Sequence, residues 1–365
     1  MTIARGLLRA GHEVTIITSR PWFKKRASLN ENGPTIYYIR SFYYYLDKIP
    51  KFFRLIWHLY DMFDPINFFK VKRILKLEKC QAVITNNLMG ISYLVPLAIK
   101  NLQLKHIHHV HDIQLIHPSG ILNYGEEKKI ESYWSRNYAA LASQLFFSPA
   151  AVIFPTRWLM DRHLDKIFFI KSKRIVLPNP AAFSPTVSQA QSGKFKFLYL
   201  GQIEKHKGLI LLIQAFKRVN EKFPQTELII AGEGSELASA KVKARENDNI
   251  KFLGWQKEEQ VGELLRSSDS LVVPTLCYEN CPAVILEAFS AGLPVMAADL
   301  GGIGELLSGN AGILFHPANP AELTEKMVWA VENKKNLSEY AKKGREKAVL
   351  FRVENYIKEL ETLIE

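Results

Sequence analysis

The sequence predicts an α/β protein with two doubly wound domains of parallel strands. Three observations lead to this prediction. The chain has 365 residues, more than one ordinary domain needs. Short β-branched and apolar runs alternate with longer helix-period segments almost throughout, as expected for parallel sheets covered on both faces. A polar, aperiodic stretch near the middle divides the alternating pattern into two parts.

Twelve short runs are predicted as strands, with helices between them. The strands are placed at 14–18, 35–39, 82–85, 106–110, 151–155, 175–177, 196–200, 227–231, 250–253, 270–273, 294–297 and 312–315. Among the helices are 208–222, 283–291 and 321–332, and the chain opens inside a helix that Gly11 ends. Doubly wound domains ordinarily begin with a strand and a glycine-rich turn, so we expect about 12–20 residues of that kind to be missing before the first helix.

The domain boundary is predicted near residue 180. Residues 177–185 contain three prolines, and 186–194 are rich in Ser and Gln without periodicity, which is typical of a linker. We therefore predict an N-terminal domain over 1–180 and a C-terminal domain over 181–350. The amphipathic segment 351–365 is predicted to be a terminal helix.

Composition indicates a globular protein of a reducing compartment. Apolar residues make up 47% and charged residues 23%, which excludes disordered and collagen-like chains. Three cysteines form neither an even framework nor a paired CxxC, so no disulfide scaffold and no structural zinc are expected. We expect no signal peptide, and no apolar run reaches the roughly 18 residues of a membrane span. The predicted location is the cytoplasm, with peripheral association at the inner face of the plasma membrane.

The excess of positive charge lies entirely in the first half of the chain. Residues 1–180 carry 26 Lys+Arg against 12 Asp+Glu, whereas 181–365 carry 22 against 24. This asymmetry indicates an anionic partner, either nucleic acid or membrane phospholipid. No recognition helix, zinc finger or RNP pattern supports nucleic acid. Aromatic and basic residues mix at 48–57 and 70–79, which suits an interfacial helix, although core aromatics beneath a solvated basic face would give the same pattern.

The strongest local motif spans 274–294. A strand ends at Pro274, a loop carries Glu279, and a helix begins near Pro282 and ends at Gly292. The amides of 280–284 then open a helix at the carboxyl edge of a sheet, where a diphosphate is stabilised. Glu287, one turn further along, can accept hydrogen bonds from ribose hydroxyls. Taken alone, the two glutamates are better explained as a helix cap and a solvated helical side chain, because isolated motif matches are often false positives.

Two further stretches hold candidate site residues. At 195–210 a strand leads through Gly201 to Lys207, whose charge opposes the dipole of the helix that follows unless an anion lies nearby. The alternative is a solvent-exposed lysine in a polar turn. In the histidine-rich run 106–117, His111 beside Asp112 lies at the carboxyl end of a strand. A metal site on these histidines is a weaker alternative, because no acidic or cysteine ligand accompanies them.

Two motifs that would indicate other kinds of chemistry are absent from the sequence. There is no Asp-x-Asp, so nothing indicates a divalent metal on a diphosphate, and no complete dinucleotide fingerprint supports nicotinamide chemistry.

Together these residues resemble the retaining glycosyltransferases of family 4, which have the GT-B fold of two facing Rossmann-like domains. The resemblance covers nearly the whole chain and rests on an ordered set of motifs. These are residues 11–15, 111–112, 176–179, 201–208, 232–234, 249–254, the pair Glu279 and Glu287, and 292–302.

The resemblance implies a role for each candidate residue. Glu279 contacts the donor sugar, His111 reaches it from the N-terminal domain, and Lys207 neutralises the diphosphate. These three are the predicted catalytic residues, and Glu287 binds the ribose. The other predicted donor-binding residues are Gly201, Gln202, Leu253, Asn280, Cys281, Pro282, Ala283 and Val284. The resemblance also implies that the terminal helix crosses back onto the N-terminal domain, and that neither metal nor cofactor is needed.

Two departures from the family pattern stand out. Gln202 occupies the position of a usual arginine, which removes one positive charge from the diphosphate site. The second departure is that the first strand and glycine-rich loop, which ordinarily contribute to the phosphate and acceptor sites, are expected to be missing before the first helix.

The resulting expectation is a metal-independent hexosyltransferase. It would transfer a sugar from a nucleotide sugar, with UDP as the base of choice, to a cell-surface glycan or lipid-linked acceptor. The alternative is a catalytically silent GT-B protein that serves as a membrane-associated or partner-binding subunit.

Overall fold

The structure, a computed structural model, describes residues 2–22, 33–181 and 193–365. The chain divides into two compact units. The first comprises Met1–Ile121, Lys128–Leu177 and Val353–Glu365, and the second comprises Leu122–Glu127 and Pro178–Arg352. Most of the predicted linker, 186–192, lies outside the described residues.

All strands of the first unit are parallel to their neighbours, as predicted, but they form two sheets. One sheet pairs β1 with β2, and the other has the order β3-β4-β5-β6. Within the described residues, β1 and β3 share no hydrogen-bonded ladder, so the unit has no single continuous sheet. The strands are β1 (Thr15–Pro21), β2 (Thr35–Ser41), β3 (Ala82–Thr85), β4 (Lys105–His109), β5 (Ala151–Phe154) and β6 (Lys173–Val176).

Three helices of the first unit begin where a side chain accepts a hydrogen bond from a free amide. The Asp64 carboxylate accepts hydrogen bonds from the amides of Ile66 and Asn67, and Pro65 takes the first helical position, so α3 starts sharply. The helices are α1 (Thr2–Arg9), α2 (Lys51–Met62), α3 (Pro65–Leu77), α4 (Val95–Asn101), α5 (Tyr133–Phe146) and α6 (Arg157–Leu164).

The second unit is a doubly wound domain around one parallel sheet of six strands. The strand order is β12-β11-β10-β7-β8-β9, so the direction of winding reverses between β10 and β7. The strands are β7 (Phe195–Leu200), β8 (Thr226–Ala231), β9 (Ile250–Gly254), β10 (Ser270–Val273), β11 (Val295–Ala298) and β12 (Ile313–Phe315). Its helices are α7 (Leu209–Lys222), α8 (Leu237–Ala244), α9 (Glu258–Ser267), α10 (Ala283–Ala291), α11 (Ile303–Leu307), α12 (Pro320–Glu332) and α13 (Leu337–Leu350).

Strand β7 explains why this sheet is covered on both faces. Phe195, Phe197 and Tyr199 pack into one hydrophobic cluster, whereas Leu198 packs into the cluster on the opposite face. Successive side chains of a strand point to opposite faces, so an apolar run requires helices on both sides. The predicted α/β class and the parallel sheets are therefore confirmed.

The element ends differ from the sequence prediction by a few residues, for local reasons. Strand β11 begins at Val295 rather than Pro294, because proline has no N–H to give to a ladder. Helix α7 begins at Leu209, since Gly208 adopts a left-handed conformation with φ of 72° and serves as its N-cap.

The chain ends in α14 (Val353–Ile364), which packs within the first unit. Tyr356, Ile357 and Leu360 of α14 share a hydrophobic cluster with Leu7 of α1 and Ile107 of β4. A Cβ atom at Gly6 would lie 2.7 Å from the Ile357 side chain, so glycine is what lets the two helices approach closely.

Candidate active site

The candidate site of the second unit lies where the winding of its sheet reverses. Open α/β sheets bind ligands at such a point, outside the carboxyl ends of the strands, because the loops after the two central strands diverge there. Strand β7 leads into the loop 201–208, and β10 leads into the loop 274–282. These two loops carry Lys207 and Glu279.

Glycine allows the two loops to come together. A Cβ atom at Gly208 would collide with the carbonyl oxygen of Pro274. The Leu276 amide donates a hydrogen bond to the His206 carbonyl over 2.8 Å, and the Thr275 hydroxyl donates to the same oxygen over 3.4 Å. The loops are thus fixed to each other by their backbones.

The side chains of Lys207 and Glu279 form an ion pair inside this junction. Lys207 Nζ lies 2.5 Å from Glu279 Oε1, and the side chains are only 27% and 19% exposed. The Thr275 hydroxyl and the Cys277 thiol also point at Glu279 Oε1, at 3.5 and 3.7 Å. Burial, followed by the nearby Glu279 charge, raises the pKa of Cys277 to about 11, so the thiol stays protonated as a donor. The sequence placed both residues in one site but did not reveal that they pair with each other.

The Glu279 backbone is fixed as firmly as its side chain. Glu279 forms a parallel bridge with Gly301, and the Gly302 amide donates to its carbonyl over 2.7 Å. A Cβ atom at Gly301, whose φ is 71°, would collide with that carbonyl oxygen. The carboxylate is therefore held by three separate loops of the same sheet edge.

Helix α10 opens next to this carboxylate without a capping side chain. Its N-cap is Pro282, and no side chain caps its free amides. Asn280 and Cys281 are buried just before it, while Ala283 and Val284 begin the helix. Because the first amides of a helix point outward with partial positive charge, this end offers a place for an anion.

Glu287 lies one turn into α10, where its side chain reaches solvent. The protein around the carboxyl nevertheless raises its pKa above the ordinary value, and the Glu258 carboxylate adds to the increase. A carboxyl in such surroundings gains from hydrogen-bond donors brought by a ligand.

The remaining donor-site candidates line the carboxyl edge of β7 and β9. Gly201 and Gln202 follow β7 directly and are exposed, and the Tyr199 hydroxyl donates to the Gln202 carbonyl over 2.7 Å. A Cβ atom at Gly232 would collide with the Gly201 carbonyl oxygen, so the two loop turns pack backbone to backbone. Leu253, near the end of β9, is 44% exposed and gives the edge an apolar surface.

A six-residue strap, Leu122–Glu127, belongs to the second unit although its sequence neighbours belong to the first. It runs antiparallel to residues 276–278: the Tyr124 amide donates to the Leu276 carbonyl over 2.9 Å, and the Tyr278 amide donates to the Leu122 carbonyl over 2.8 Å. The Tyr278 hydroxyl donates to Glu127 Oε1 over 2.9 Å. The strap thus holds the loop just before Glu279. Sequence reasoning missed it, because no local pattern reports pairing across 151 residues.

In the first unit, His111 lies at the carboxyl edge of β3 and β4. Its Nε2 is 2.8 Å from the Asn86 side-chain oxygen, and its ring lies against that of His109, with centroids 4.1 Å apart and planes tilted by 40°. The ring reaches solvent, yet the protein packed around it lowers the pKa of His111 below the ordinary value. A neutral imidazole has one N–H donor and one nitrogen acceptor, and here the N–H at Nε2 donates to the Asn86 oxygen. Asn86 was not singled out in the sequence.

The other histidines of the run serve packing. His106 Nε2 and His108 Nδ1 both lie 2.8 Å from the Thr85 hydroxyl, and burial lowers the pKa of His106 to about 4. His106 and His108 lie on one face of β4 and His109 on the other, as the strand period predicts. Within the described residues, no group of three or more His, Cys, Asp or Glu side chains is arranged to hold a metal ion.

Fold and site together define the class of protein: an α/β glycosyltransferase of the GT-B fold. Residues 1–181 match the family described as Glycosyltransferase Family 4, and residues 182–347 match Glycosyl transferases group 1. The chain therefore belongs to this glycosyltransferase family, as the sequence motifs predicted. A relative described as an uncharacterized 42.6 kDa protein in the cps region of Klebsiella pneumoniae is 24% identical over 317 residues, covering 83% of this chain and 81% of that protein.

Solved structures have the same fold. Sucrose-phosphate synthase from Thermosynechococcus elongatus is similar over 99% of this chain and 91% of its own, with a TM-score of 0.75 and 17% identity. HepE from Anabaena, solved in complex with UDP, covers 90% of this chain and 86% of its own, with a TM-score of 0.67 and 18% identity. Among the helices that the structure describes, none is both long and apolar enough to cross a membrane.

Proposed function

We propose that this protein is a retaining, metal-independent hexosyltransferase that uses a nucleotide-sugar donor. The observation that carries the proposal is the Lys207–Glu279 pair beside the uncapped start of α10. A cation and a set of helix amides favour a diphosphate, and a carboxylate fixed between them favours sugar hydroxyls. Membership of the glycosyltransferase family supports the reaction type.

Each site residue then has a defined task. The diphosphate is bound by the amides of Ala283 and Val284 and by the Lys207 ammonium. Glu287 accepts hydrogen bonds from the ribose, and Glu279 orients the donor sugar. When the bond between the anomeric carbon and the terminal phosphate breaks, the leaving diphosphate gains negative charge. A preorganised ammonium and helix amides stabilise that charge without moving.

His111 and Leu253 complete the proposed donor site. His111, neutral because its pKa is lowered, is the proposed hydrogen-bond partner of the donor sugar that the family resemblance implies. Leu253 provides apolar contact for the base, together with the Gly201–Gln202 turn. Asn280, Cys281 and Pro282 fix the direction in which α10 presents its amides.

We propose UDP as the nucleotide, because HepE of the same fold was solved with UDP. Thermal-shift measurements with UDP-, GDP- and ADP-sugars test this choice, since a ligand that binds only the native state raises the melting temperature. A rise with a UDP-sugar alone is expected. A larger rise with GDP- or ADP-sugars would contradict the choice of base, and no rise with any of them would contradict the donor class.

The same geometry supports the proposal of metal independence. Lys207 and the helix amides supply the positive charge that a divalent ion supplies in other transferases. Turnover measured with EDTA is expected to equal turnover without it. Loss of turnover with EDTA and its recovery with Mg²⁺ would contradict the proposed role of Lys207.

The proposed acceptor is a cell-surface glycan or a lipid-linked sugar, assembled at the cytoplasmic face of a membrane. The relative in a cps region and the basic N-terminal half support this acceptor class. The alternative, a catalytically silent subunit, is not favoured, because both parts of the chain match glycosyltransferases. Hydrolysis or transfer of any nucleotide sugar by the purified protein would exclude it.

A further inference from the structure

Helices α2 and α3 present a large apolar surface to solvent. Within the described residues, seven large apolar side chains at 56–77 are between 44% and 67% exposed, far more than isolated surface residues need. On α3 the opposite face is buried, with Phe68, Val71 and Leu75 packed inside, so the exposed stripe is the outer face of a fixed helix. The exposed side chains are Ile56, Leu59, Tyr60, Phe63, Ile66, Phe69 and Leu77.

Cations lie among these apolar side chains. Lys70, Arg73, Lys76 and Lys79 are all exposed on or just after α3. Among the described residues, none of the four forms an ion pair with a carboxylate. We call these four cations and the seven apolar side chains the α2–α3 face.

The acidic residues described in this stretch form hydrogen bonds within the first unit. Asp61 is 5% exposed and accepts a hydrogen bond from the Gly90 amide over 2.8 Å. Asp64 is 7% exposed and caps α3. Glu78 accepts hydrogen bonds from the hydroxyls of Tyr37 and Thr15, at 2.6 and 2.9 Å. Among the described residues of this stretch, the exposed charges are therefore positive, whereas the three carboxylates hold the helices through hydrogen bonds.

We propose that the α2–α3 face docks the protein onto an anionic phospholipid bilayer. Aliphatic and aromatic side chains flanked by cations suit the boundary between headgroups and acyl chains, and an anionic leaflet matches the single sign of charge. A second copy of the chain fits less well, because pairing this face with itself would place cations against cations. The proposal does not depend on which donor the enzyme uses.

Vesicle binding tests this proposal without donor or acceptor. Full-length protein is sedimented with vesicles of phosphatidylcholine alone and of phosphatidylcholine with phosphatidylglycerol in equal parts. We expect binding to the anionic vesicles, weakened by added salt, and much less binding to the zwitterionic ones. Equal binding to both kinds of vesicle, or binding to neither, would overturn the proposal. Binding to neither is also the result expected if the face contacts another protein instead.

A matched pair of variants assigns the binding to this face. The test variant combines Lys70→Ser, Arg73→Ser and Leu77→Ser. The control combines Lys241→Ser, Val242→Ser and Lys243→Ser, which removes two exposed cations and one exposed aliphatic side chain from α8 of the second unit. Each cation lost from a bilayer contact weakens binding about fivefold, so the test variant should bind at least about twentyfold more weakly than the control.

A second variant protects this test against misfolding. Lys70→Gln with Arg73→Gln keeps helix propensity and changes charge alone. It should bind anionic vesicles more weakly while keeping the wild-type melting temperature and UDP-sugar thermal shift. If the control variant loses as much binding as the test variant, the docking surface is not the α2–α3 face. Failure of the UDP-sugar shift in the wild type would count only against the proposed function.

Discussion

Lys207 occupies a locally unfavourable position in the second unit. It lies just before α7, where its charge opposes the helix dipole, and the structure gives it a carboxylate partner in Glu279. The sequence predicted a bound anion between this lysine and the loop amides, and the structure shows the Glu279 carboxylate beside the ammonium, a pairing that the sequence did not reveal. A bound diphosphate would share the same ammonium, which has three donors.

Replacing Lys207 by Ala is expected to lower turnover far more than stability. Loss of a preorganised charge at the leaving group costs about 3–4 kcal/mol at the transition state, or roughly a hundred- to a thousandfold in rate. The pair with Glu279 is partly exposed, so the free energy of unfolding should fall by about 1 kcal/mol or less. Steady-state turnover and melting temperature are measured for this variant and for Lys205→Ala, an exposed neighbour. Near-normal turnover in Lys207→Ala would remove the lysine from the catalytic site.

Glu287→Gln is expected to weaken nucleotide binding at least tenfold. In the proposed site the carboxylate accepts hydrogen bonds from the ribose hydroxyls, and each hydrogen bond to a charged group contributes about 1.5–3 kcal/mol. Calorimetric titration with UDP measures the change. Glu325→Gln, an exposed glutamate of α12, serves as the control and should bind UDP like the wild type. Equal affinities in both variants would contradict the ribose role.

Among the elements, the strands and the two site loops were predictable, whereas the strap was not. Strand runs such as 82–85 and 270–273 and the helix 283–291 match the structure to the residue, because apolar runs and glycine or proline ends are local signals. The loops after β7 and β10 could be assigned to one site, because the carboxyl ends of parallel strands lie at the same edge of a sheet. The strap Leu122–Glu127 and the contact between His111 and Asn86 depend on tertiary pairing, which no local pattern encodes.

The strap is predicted to position Glu279. Tyr278→Phe removes the hydroxyl that donates to Glu127, so the loop before Glu279 loses one of its attachments. Turnover should fall severalfold or more with little change in UDP affinity, because small displacements of an orienting group act mainly on kcat. Glu127→Gln keeps an accepting oxygen and should retain most of the activity. The Tyr124 side chain is 49% exposed, so Tyr124→Phe should leave turnover unchanged. A wild-type kcat in Tyr278→Phe would contradict this positioning role.

At the scale of the whole molecule, buried ionisable groups of the first unit set its response to pH. Burial raises the pKa of Asp61 to about 7, and the Asp64 carboxylate adds to the increase, while the Gly90 hydrogen bond opposes it. Burial lowers the pKa of His106 and His163 to about 4. The carboxyl and the histidines change the stability with pH in opposite directions. The native state holds more protons than the unfolded chain at Asp61 and fewer at the histidines.

Asp61→Asn separates the two contributions. Between about pH 4 and 7 the native carboxyl is protonated while the unfolded one is ionised, so this group makes the wild type less stable as the pH rises. Asn keeps an oxygen for the Gly90 amide and does not titrate. The variant should therefore gain stability relative to the wild type from pH 4.5 to 8, by at most about 4 kcal/mol. Melting temperatures of both proteins across that range provide the measurement, and a constant difference would show that Asp61 does not titrate.

The chain crosses between its two units four times, at 121/122, 127/128, 177/178 and 352/353. A gene fusion that exchanged only residues 178–352 between relatives would replace the loop 274–282. The original strap would then have to pair with a foreign loop. Recombination at 177/178 and 352/353 is thus expected to give poorly active hybrids, whereas carrying the six strap codons along restores a matched pair. The loop 274–282 and the strap that pairs with it are thus encoded in two separate stretches of the gene.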